Sequence, residues 1–318
     1  TVLDFPTSVE SASIGVDNHS EFISGGTDVL VRRRQGLASS SRLIDLTAIR
    51  GLDRLEECGD GSLVIGAGTT LADLQRYCRA ADPMLVEVLD QIATPQIREM
   101  ATVAGNLLQA NRCSFYRNGF DCYKRSGPTC PCYAVLGDHR FYHAVLGGHR
   151  CQAVTPSDLA TAFLALDGVS TVQGRTGVRS IPLADLYRGP GESTLRVDEV
   201  MTSVEIPGPS RQRRSGFEKL GKYSGDFAIA SAAVSLELDG MVVTDARIVL
   251  GAIAPVPYRA RRTEEQLSGL DLGNERALST AAAAWTIDAH PLQMNRWKVD
   301  AAVGLVRRAL HRLGLESG

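Results

Sequence analysis

The sequence predicts a mixed α/β protein in two parts: two small lobes whose strands run through glycine turns into helices, then an α+β domain of antiparallel strands followed by helices. Three patterns predict it. Residues 22–34 and 63–80 each read as strand, glycine-rich turn and helix. Asp239-Gly240 separates two apolar, strand-like runs, which is a hairpin signal. From 261 to 316 a helical period takes over. The divisions fall at 1–56, 57–208 and 212–318, with an inserted segment at about 108–152.

Each element has its own reason. Residues 8–14 are weakly helical, 22–24 form a short strand, and 28–34 continue as a helix after Gly25-Gly26-Thr27-Asp28. Paired glycines let backbone approach a ligand closely, and free N–H groups at such a turn suit a phosphate; an ordinary strand-to-helix turn fits as well. Residues 42–45 make the next strand. The pattern restarts at 63–65, passes Gly66-Ala67-Gly68, and enters a helix over 71–80 that Thr70 or Asp73 can cap. Another helix covers 86–92, and a second glycine turn follows at Thr102-Val103-Ala104-Gly105-Asn106. Ser157 caps a helix over 159–166; strands follow at 169–172, 178–182 and 200–206. Residues 207–216, with Pro207, Pro209 and three arginines, read as a linker. Beyond it come a strand at 217–220, an apolar element at 227–238, strands within 242–254, and helices over 263–267, 275–289 and 295–313.

The chain has 318 residues, 44% of them apolar and 22% charged, in the range of globular proteins. A net charge of −2 with no basic stripe argues against nucleic acid. No apolar run reaches a membrane-spanning length.

The segment 102–151 is the least ordinary. Five of the seven cysteines, Cys113, Cys122, Cys130, Cys132 and Cys151, fall within 39 positions, among turn residues that break any helix or strand period. A long turn-rich excursion needs a tie to offset its ordering entropy. No signal-peptide pattern opens the sequence and the cysteine total is odd, which speaks against disulfides. Zinc is open, because His139, His143 and His149 lie among the cysteines, although no finger-like pairs occur. An iron–sulfur cluster on four thiolates fits the count with one cysteine spare. Cys58 and Cys78, outside the segment, read as ordinary thiols.

At this point the motifs resemble a known family, the FAD-binding subunits of molybdenum hydroxylases. Phe22-Ile23-Ser24-Gly25-Gly26-Thr27-Asp28-Val29 is similar to the first flavin motif. Gln96-Ile97-Arg98 followed by Thr102-Val103-Ala104-Gly105-Asn106 resembles the second, with Ala104 where the family usually has glycine. Pro156-Ser157-Asp158, Gly189-Pro190-Gly191, Phe217-Glu218-Lys219 and Gly251-Ala252-Ile253-Ala254-Pro255 follow in the family's order, so the resemblance covers essentially the whole chain. The cysteine segment is similar to the insertion that carries an extra [4Fe–4S] cluster in the flavoprotein subunits of 4-hydroxybenzoyl-CoA reductase and of periplasmic aldehyde oxidoreductase.

The resemblance implies a two-lobed FAD-binding domain of the molybdopterin dehydrogenase type ahead of the C-terminal domain. It implies that FAD lies between the lobes, its pyrophosphate on Phe22, Ile23, Ser24, Gly25, Gly26, Thr27, Asp28 and Val29 and on Thr102, Val103, Ala104, Gly105 and Asn106. Ile92 and Met201 match apolar positions lining the flavin, Asp158 one that bonds the cofactor's hydroxyls, and Lys219 one beside the ring. Read alone, Ile92 and Met201 are equally core residues, Asp158 a helix-start charge and Lys219 a solvated strand lysine. Cys113, Cys122, Cys132 and Cys151 match the cluster ligands, with Cys130 spare. The function implied is an electron-transfer flavoprotein subunit with no acid or base of its own. Its partners would be a large molybdopterin-binding subunit, a small [2Fe–2S] subunit and an external electron acceptor. A cytoplasmic location is expected, with the periplasm as the alternative. The rival readings are a stand-alone FAD-dependent oxidase or reductase, and a cysteine-rich metal-binding scaffold without flavin.

Overall fold

The computed structural model describes residues 2–38, 40–78, 82–208 and 213–315. The first lobe runs β1 (Val2–Asp4), α1 (Val9–Gly15), β2 (Ser20–Ile23), α2 (Val29–Arg34) and β3 (Arg42–Asp45). Its three strands are parallel in the order β1-β3-β2. Central β3 buries Leu43 and Ile44, as a parallel strand covered on both sides must. Ser8 and Ser11 form a reciprocal cap that starts α1.

The second unit holds β4 (Leu55–Glu57), β5 (Leu63–Gly66), α3 (Leu71–Tyr77), α4 (Pro83–Gln91), α5 (Pro95–Arg98) and α6 (Val103–Leu107). The cysteine-rich excursion follows with two single-turn helices, α7 (Ser114–Arg117) and α8 (Tyr123–Ser126). The chain then returns through α9 (Asp158–Ala165), β6 (Val169–Gly174), β7 (Gly177–Pro182), β8 (Tyr187–Gly189), β9 (Glu192–Ser193) and β10 (Val200–Ile206). The main sheet is antiparallel, β4-β5-β10-β6-β7, so the late strand β10 fills its centre. Every residue of α9 is buried, the expected place for a helix apolar on all sides.

The C-terminal domain is a four-stranded antiparallel sheet, β11 (Arg213–Leu220), β12 (Ala230–Asp239), β13 (Val242–Gly251) and β14 (Tyr258–Arg259), backed by α10 (Arg261–Leu267), α11 (Glu275–Ala282) and α12 (Trp297–Leu315). Gly240, at φ 61°, makes the turn that Asp239-Gly240 predicts. Strand alternation divides the sheet between two cores. Phe217, Ala233 and Val249 join the core around α4 and α9, while Ala232, Val234, Leu236 and Ile248 pack under α10–α12.

Three expectations change. The strand expected at 217 begins at Arg213, because Arg213 and Glu237 pair across the ladder at 3.2 Å; residues 209–212 of the predicted linker lie outside the described residues. The helix expected at 86 starts at Pro83, with Asp82 capping and proline in the one helical turn that tolerates it. The predicted 71–80 helix ends at Tyr77, and residues 79 and 80 lie outside the described residues. Among the described residues no helix is long and apolar enough to cross a membrane.

Candidate cofactor cleft and cysteine cavity

The two glycine turns meet. A Cβ on Gly25 would stand 1.6 Å from the Met100 carbonyl oxygen, so the first loop lies directly on the backbone leading into Thr102. Together they line one predominantly apolar cleft. Phe22 through Val29 border it on one side, Thr102, Ala104 and Gly105 on another, and Met201 with Leu195 and Val197 on a third.

The turns contribute different things. Gly26, at φ 72°, adopts a backbone geometry that glycine accepts without strain. The amides of Gly25, Gly26, Thr27, Asp28 and Val29 have no acceptor among the described residues. They are therefore free for an anionic ligand. At the second turn the amides are engaged: Val103 donates to the Thr69 carbonyl at 3.0 Å, Ala104 to that of Ala67 at 2.9 Å, and Gly105 to Thr102 Oγ1 at 3.2 Å. That turn supplies a close-packed floor rather than donors. Asn106 points inward, its Oδ1 accepting from Ser157 Oγ at 2.7 Å and so tying the floor to α9.

Asp28 borders the cleft, and its carboxylate is engaged by the cysteine excursion. Its carboxylate accepts from the Ala110 amide at 2.9 Å and pairs with Arg112 and Arg117 at 2.9 Å and Arg32 at 3.3 Å. Burial works against its charge, but Arg112, the Ala110 amide and Arg117 prevail and hold the carboxyl below its ordinary range. Burial pulls the Arg112 guanidinium down to about 10, still charged at neutral pH. Asp28 thus fastens the first glycine loop to the start of the cysteine excursion.

The remaining predicted positions are not among the residues lining the cleft. Ile92 and Val103 belong to the central core. Asp158 and Lys219 form a buried ion pair, Nζ to Oδ2 2.7 Å, and Lys219 also donates to the Gln91 carbonyl at 2.8 Å. Burial pushes the Asp158 carboxyl up, against the pull of Lys219.

Of the third wall, sequence reasoning named Met201 and missed Ser193, Leu195, Arg196, Val197, Glu199 and Val200; it also missed the Ala67-Gly68 pair. Gly68 had a signal: a Cβ there would press on Leu52 at 3.1 Å, and a glycine cluster after a strand points to such close approach. Glu199 had none. Its carboxylate takes a fork from Arg179, two bonds of 2.7 Å, and a third from the Arg196 amide at 2.7 Å, which hold its pKa below the usual range.

The excursion folds around a second, smaller cavity. Cys113, Cys122, Cys132 and Cys151 all line it, and Cys130 does not. Burial raises the Cys113 thiol; backbone N–H groups of Tyr116 and Phe115 oppose this, and Cys132 and Cys122 add to it. Cys151 is pushed to about 11, first by burial and then by Cys132, Cys113 and Cys122, with the Ala153 amide opposing. Four thiols around one cavity, with N–H groups aimed at Cys113 and Cys151, form a donor set suited to thiolates around a polynuclear centre. Among the described residues no three His, Cys, Asp or Glu side chains are gathered closely enough to hold a metal ion. Phe115, Phe120 and Tyr133 pack edge to face beside the cavity, with ring centres 5.4 and 5.2 Å apart.

The histidines divide. His149 is exposed. His139 Nδ1 contacts the Ala134 and Gly137 carbonyls, and its Nε2 accepts from the Met294 amide at 2.8 Å. His143 is buried against Cys113; burial first, then the charge of Lys298, lowers its pKa to about 4 and keeps the ring neutral. Cys78 is a core residue whose thiol burial lifts to about 12.

The chain is similar to known proteins along its length. Residues 5–209 match the family described as FAD binding domain in molybdopterin dehydrogenase, and residues 215–313 match the CO dehydrogenase flavoprotein C-terminal domain. It is 35% identical over 292 residues to the aldehyde oxidoreductase FAD-binding subunit PaoB of Escherichia coli, covering 88% of this chain and 87% of that one. It is 28% identical over 322 residues to the nicotine 6-hydroxylase medium subunit of Paenarthrobacter nicotinovorans, covering 98% and 95%. Among solved structures, a carbon monoxide dehydrogenase from Hydrogenophaga pseudoflava matches with a TM-score of 0.80 at 24% identity, over 99% of this chain and 97% of that one.

Proposed function

This chain belongs to the FAD-binding subunits of the molybdopterin dehydrogenase family, and we propose that it carries two redox groups, FAD in the cleft and a [4Fe–4S] cluster in the cysteine cavity. It is the electron-transferring FAD subunit of a heteromeric molybdenum-dependent hydroxylase or dehydrogenase. When bound, FAD exchanges electrons singly or in pairs and a four-iron cluster exchanges them singly. The protein's task is to hold these groups, set their surroundings and exclude water.

The observation that carries the reading is that both glycine turns line one cleft with Met201. We assign the pyrophosphate to the free amides of Gly25 through Val29, over the floor of Thr102, Ala104 and Gly105. Met201 forms an apolar wall. Asn106 orients that floor through Ser157. We assign Asp158 and Lys219, a buried ion pair outside the cleft lining, to the cofactor's hydroxyls and to the neighbourhood of its ring. Cys113, Cys122, Cys132 and Cys151 are assigned as the four iron ligands, with Cys130 spare. Four thiols around one cavity support this, as does the exclusion of Cys130 from its lining. The three-part division, two cofactor-binding lobes and a C-terminal domain, follows the sheets. We further propose a large molybdopterin-binding subunit and a small [2Fe–2S] subunit as partners, and an external acceptor that takes the electrons.

The test is spectroscopic and analytical. Anaerobically purified protein should show flavin bands over a broad iron–sulfur absorption, with four irons and four sulfides per chain. Affinity purification from the native host should bring down a molybdenum-containing chain. A colourless preparation holding zinc would sink the cluster assignment, and flavin-free protein that does not take up added FAD would sink the cleft assignment.

A further inference from the structure

His143 has a role that four thiolate ligands leave open. Its Nε2 lies 3.3 Å from Cys113 Sγ, and the two residues are only 3% and 7% exposed. Nδ1 has no hydrogen-bond partner among the described residues. An imidazole carries a proton on at least one ring nitrogen. On Nδ1 that proton would be buried without an acceptor, whereas on Nε2 it points at sulfur. The ring is therefore a donor to Cys113.

The ring is held from two sides. His143 pairs with Ala153 in an isolated antiparallel bridge, two residues beyond Cys151, and the Ala144 amide donates to the Gln152 carbonyl at 2.8 Å. From the C-terminal domain, Lys298 Nζ donates to the His143 carbonyl at 2.8 Å, and to those of Phe141 at 2.7 Å and Ala252 at 2.9 Å. Asn295 Nδ2 donates to the Ala144 carbonyl at 3.0 Å. A fully buried lysine spent on three backbone carbonyls fixes where this short stretch sits. The Phe115 ring, centred 6.3 Å from the imidazole, packs beside it.

We propose that His143 is a positioning residue which donates an N–H···S hydrogen bond to the Cys113 thiolate and so raises the reduction potential of the cluster, an inference that rests on the four-iron reading above. The physical ground is charge. Reduction adds an electron to a centre already carrying thiolates, and a donor at one ligand sulfur favours the more negative state more than the less negative one. Cys113 already receives backbone N–H groups from its own turn; His143 adds a donor that depends on the C-terminal domain.

The experiment uses the full chain, anaerobically purified, as wild type, His143→Leu and His143→Gln. Iron and sulfide are counted, and the cluster is titrated by electron paramagnetic resonance with the chain's own flavin as internal reference. The expected result is a lower cluster midpoint in His143→Leu with an unshifted flavin midpoint. His143→Gln, which keeps an N–H, should fall between. In reduced wild type, proton hyperfine spectra should show an exchangeable proton that disappears in heavy water, with nitrogen coupling from 15N-labelled histidine. A fully loaded His143→Leu chain with the wild-type midpoint overturns the inference while leaving the four-iron reading intact. Should His143→Leu lose its iron, the wild-type spectra decide: histidine coupling present upholds the inference, and its absence overturns it. A wild-type chain without iron and sulfide overturns the four-iron reading, and the inference with it.

Discussion

Gly25→Ala tests the junction on which the cleft depends. The added methyl would sit 1.6 Å from the Met100 oxygen and 2.7 Å from its carbonyl carbon, about 1.8 Å inside the 3.4 Å at which ordinary contact begins. Both opposing atoms are backbone, so no rotamer change relieves the clash. The variant can relax by lifting the first loop off residues 100–101, but ligand binding then has to bring the two back together. Overpacking of this kind costs about 1–3 kcal/mol. At 1.4 kcal/mol per tenfold, FAD should bind roughly 5- to 150-fold more weakly. The assay is the flavin-to-protein absorbance ratio after purification, followed by titration of the apoprotein with FAD. Gly304→Ala is the control, because Gly304 lies on α12 with nothing within 4 Å of its Cβ position. It should leave FAD affinity unchanged and stabilise the chain by about 0.5–1 kcal/mol, the usual helix-interior difference. If Gly25→Ala binds FAD within twofold of wild type, the two turns are not the jaws of one site.

Other perturbations probe the remaining features. Lys219→Met strands the Asp158 carboxylate inside the protein and should destabilise the chain by about 3–5 kcal/mol; adding Asp158→Asn should recover more than half of that in denaturant unfolding, and a double variant no better than the sum of the singles would refute the coupling. Cys132→Ser should lose most of the bound iron while Cys130→Ser keeps it, as read by iron analysis; the reverse order would exchange their roles. Asp28→Asn removes the anchor of three arginines and should cost about 3 kcal/mol at neutral pH. Because the folded Asp28 carboxyl titrates below its unfolded value of 3.8, its stabilisation is complete above that pH and disappears as pH falls through the folded value. The wild type and Asp28→Asn should therefore converge in stability in strong acid, and a gap that persists unchanged there would exclude the charge as its source.

Local chemistry made much of the architecture readable. Both glycine turns, the Ser157 cap, and the hairpin at Gly240 are written within a few adjacent residues. Strands β1 and β4 were not readable, since each has only three residues, and Val2 and Leu3 are 61% and 47% exposed. The start of β11 looked like linker because its arginines find partners only across the sheet and on α12. Within the cleft, the motif residues Phe22 to Val29 and Met201 were legible, while Ser193, Leu195, Val197 and Glu199 were not, because that stretch reaches the cleft through the placing of β10 between β5 and β6. Asp28 shows the limit most clearly. Its motif points to the ligand, while its partners Ala110 and Arg117 stand 82 and 89 positions away and turn it into a brace.

The clamp made by Lys298 ties the timing of assembly to the direction of synthesis. The lysine is 155 positions downstream of the carbonyl it holds at His143. At about 5–20 residues per second a ribosome needs roughly 8–30 s to cover that distance. From the synthesis of Cys151 to the end of that interval all the cysteines of the excursion exist, while the support for the limb between Cys132 and Cys151 has yet to be made. Iron delivered to a nascent chain would therefore meet an unfinished vessel. Chains truncated before α12 should emerge with their thiols accessible to alkylating reagents, and completed chains should protect them.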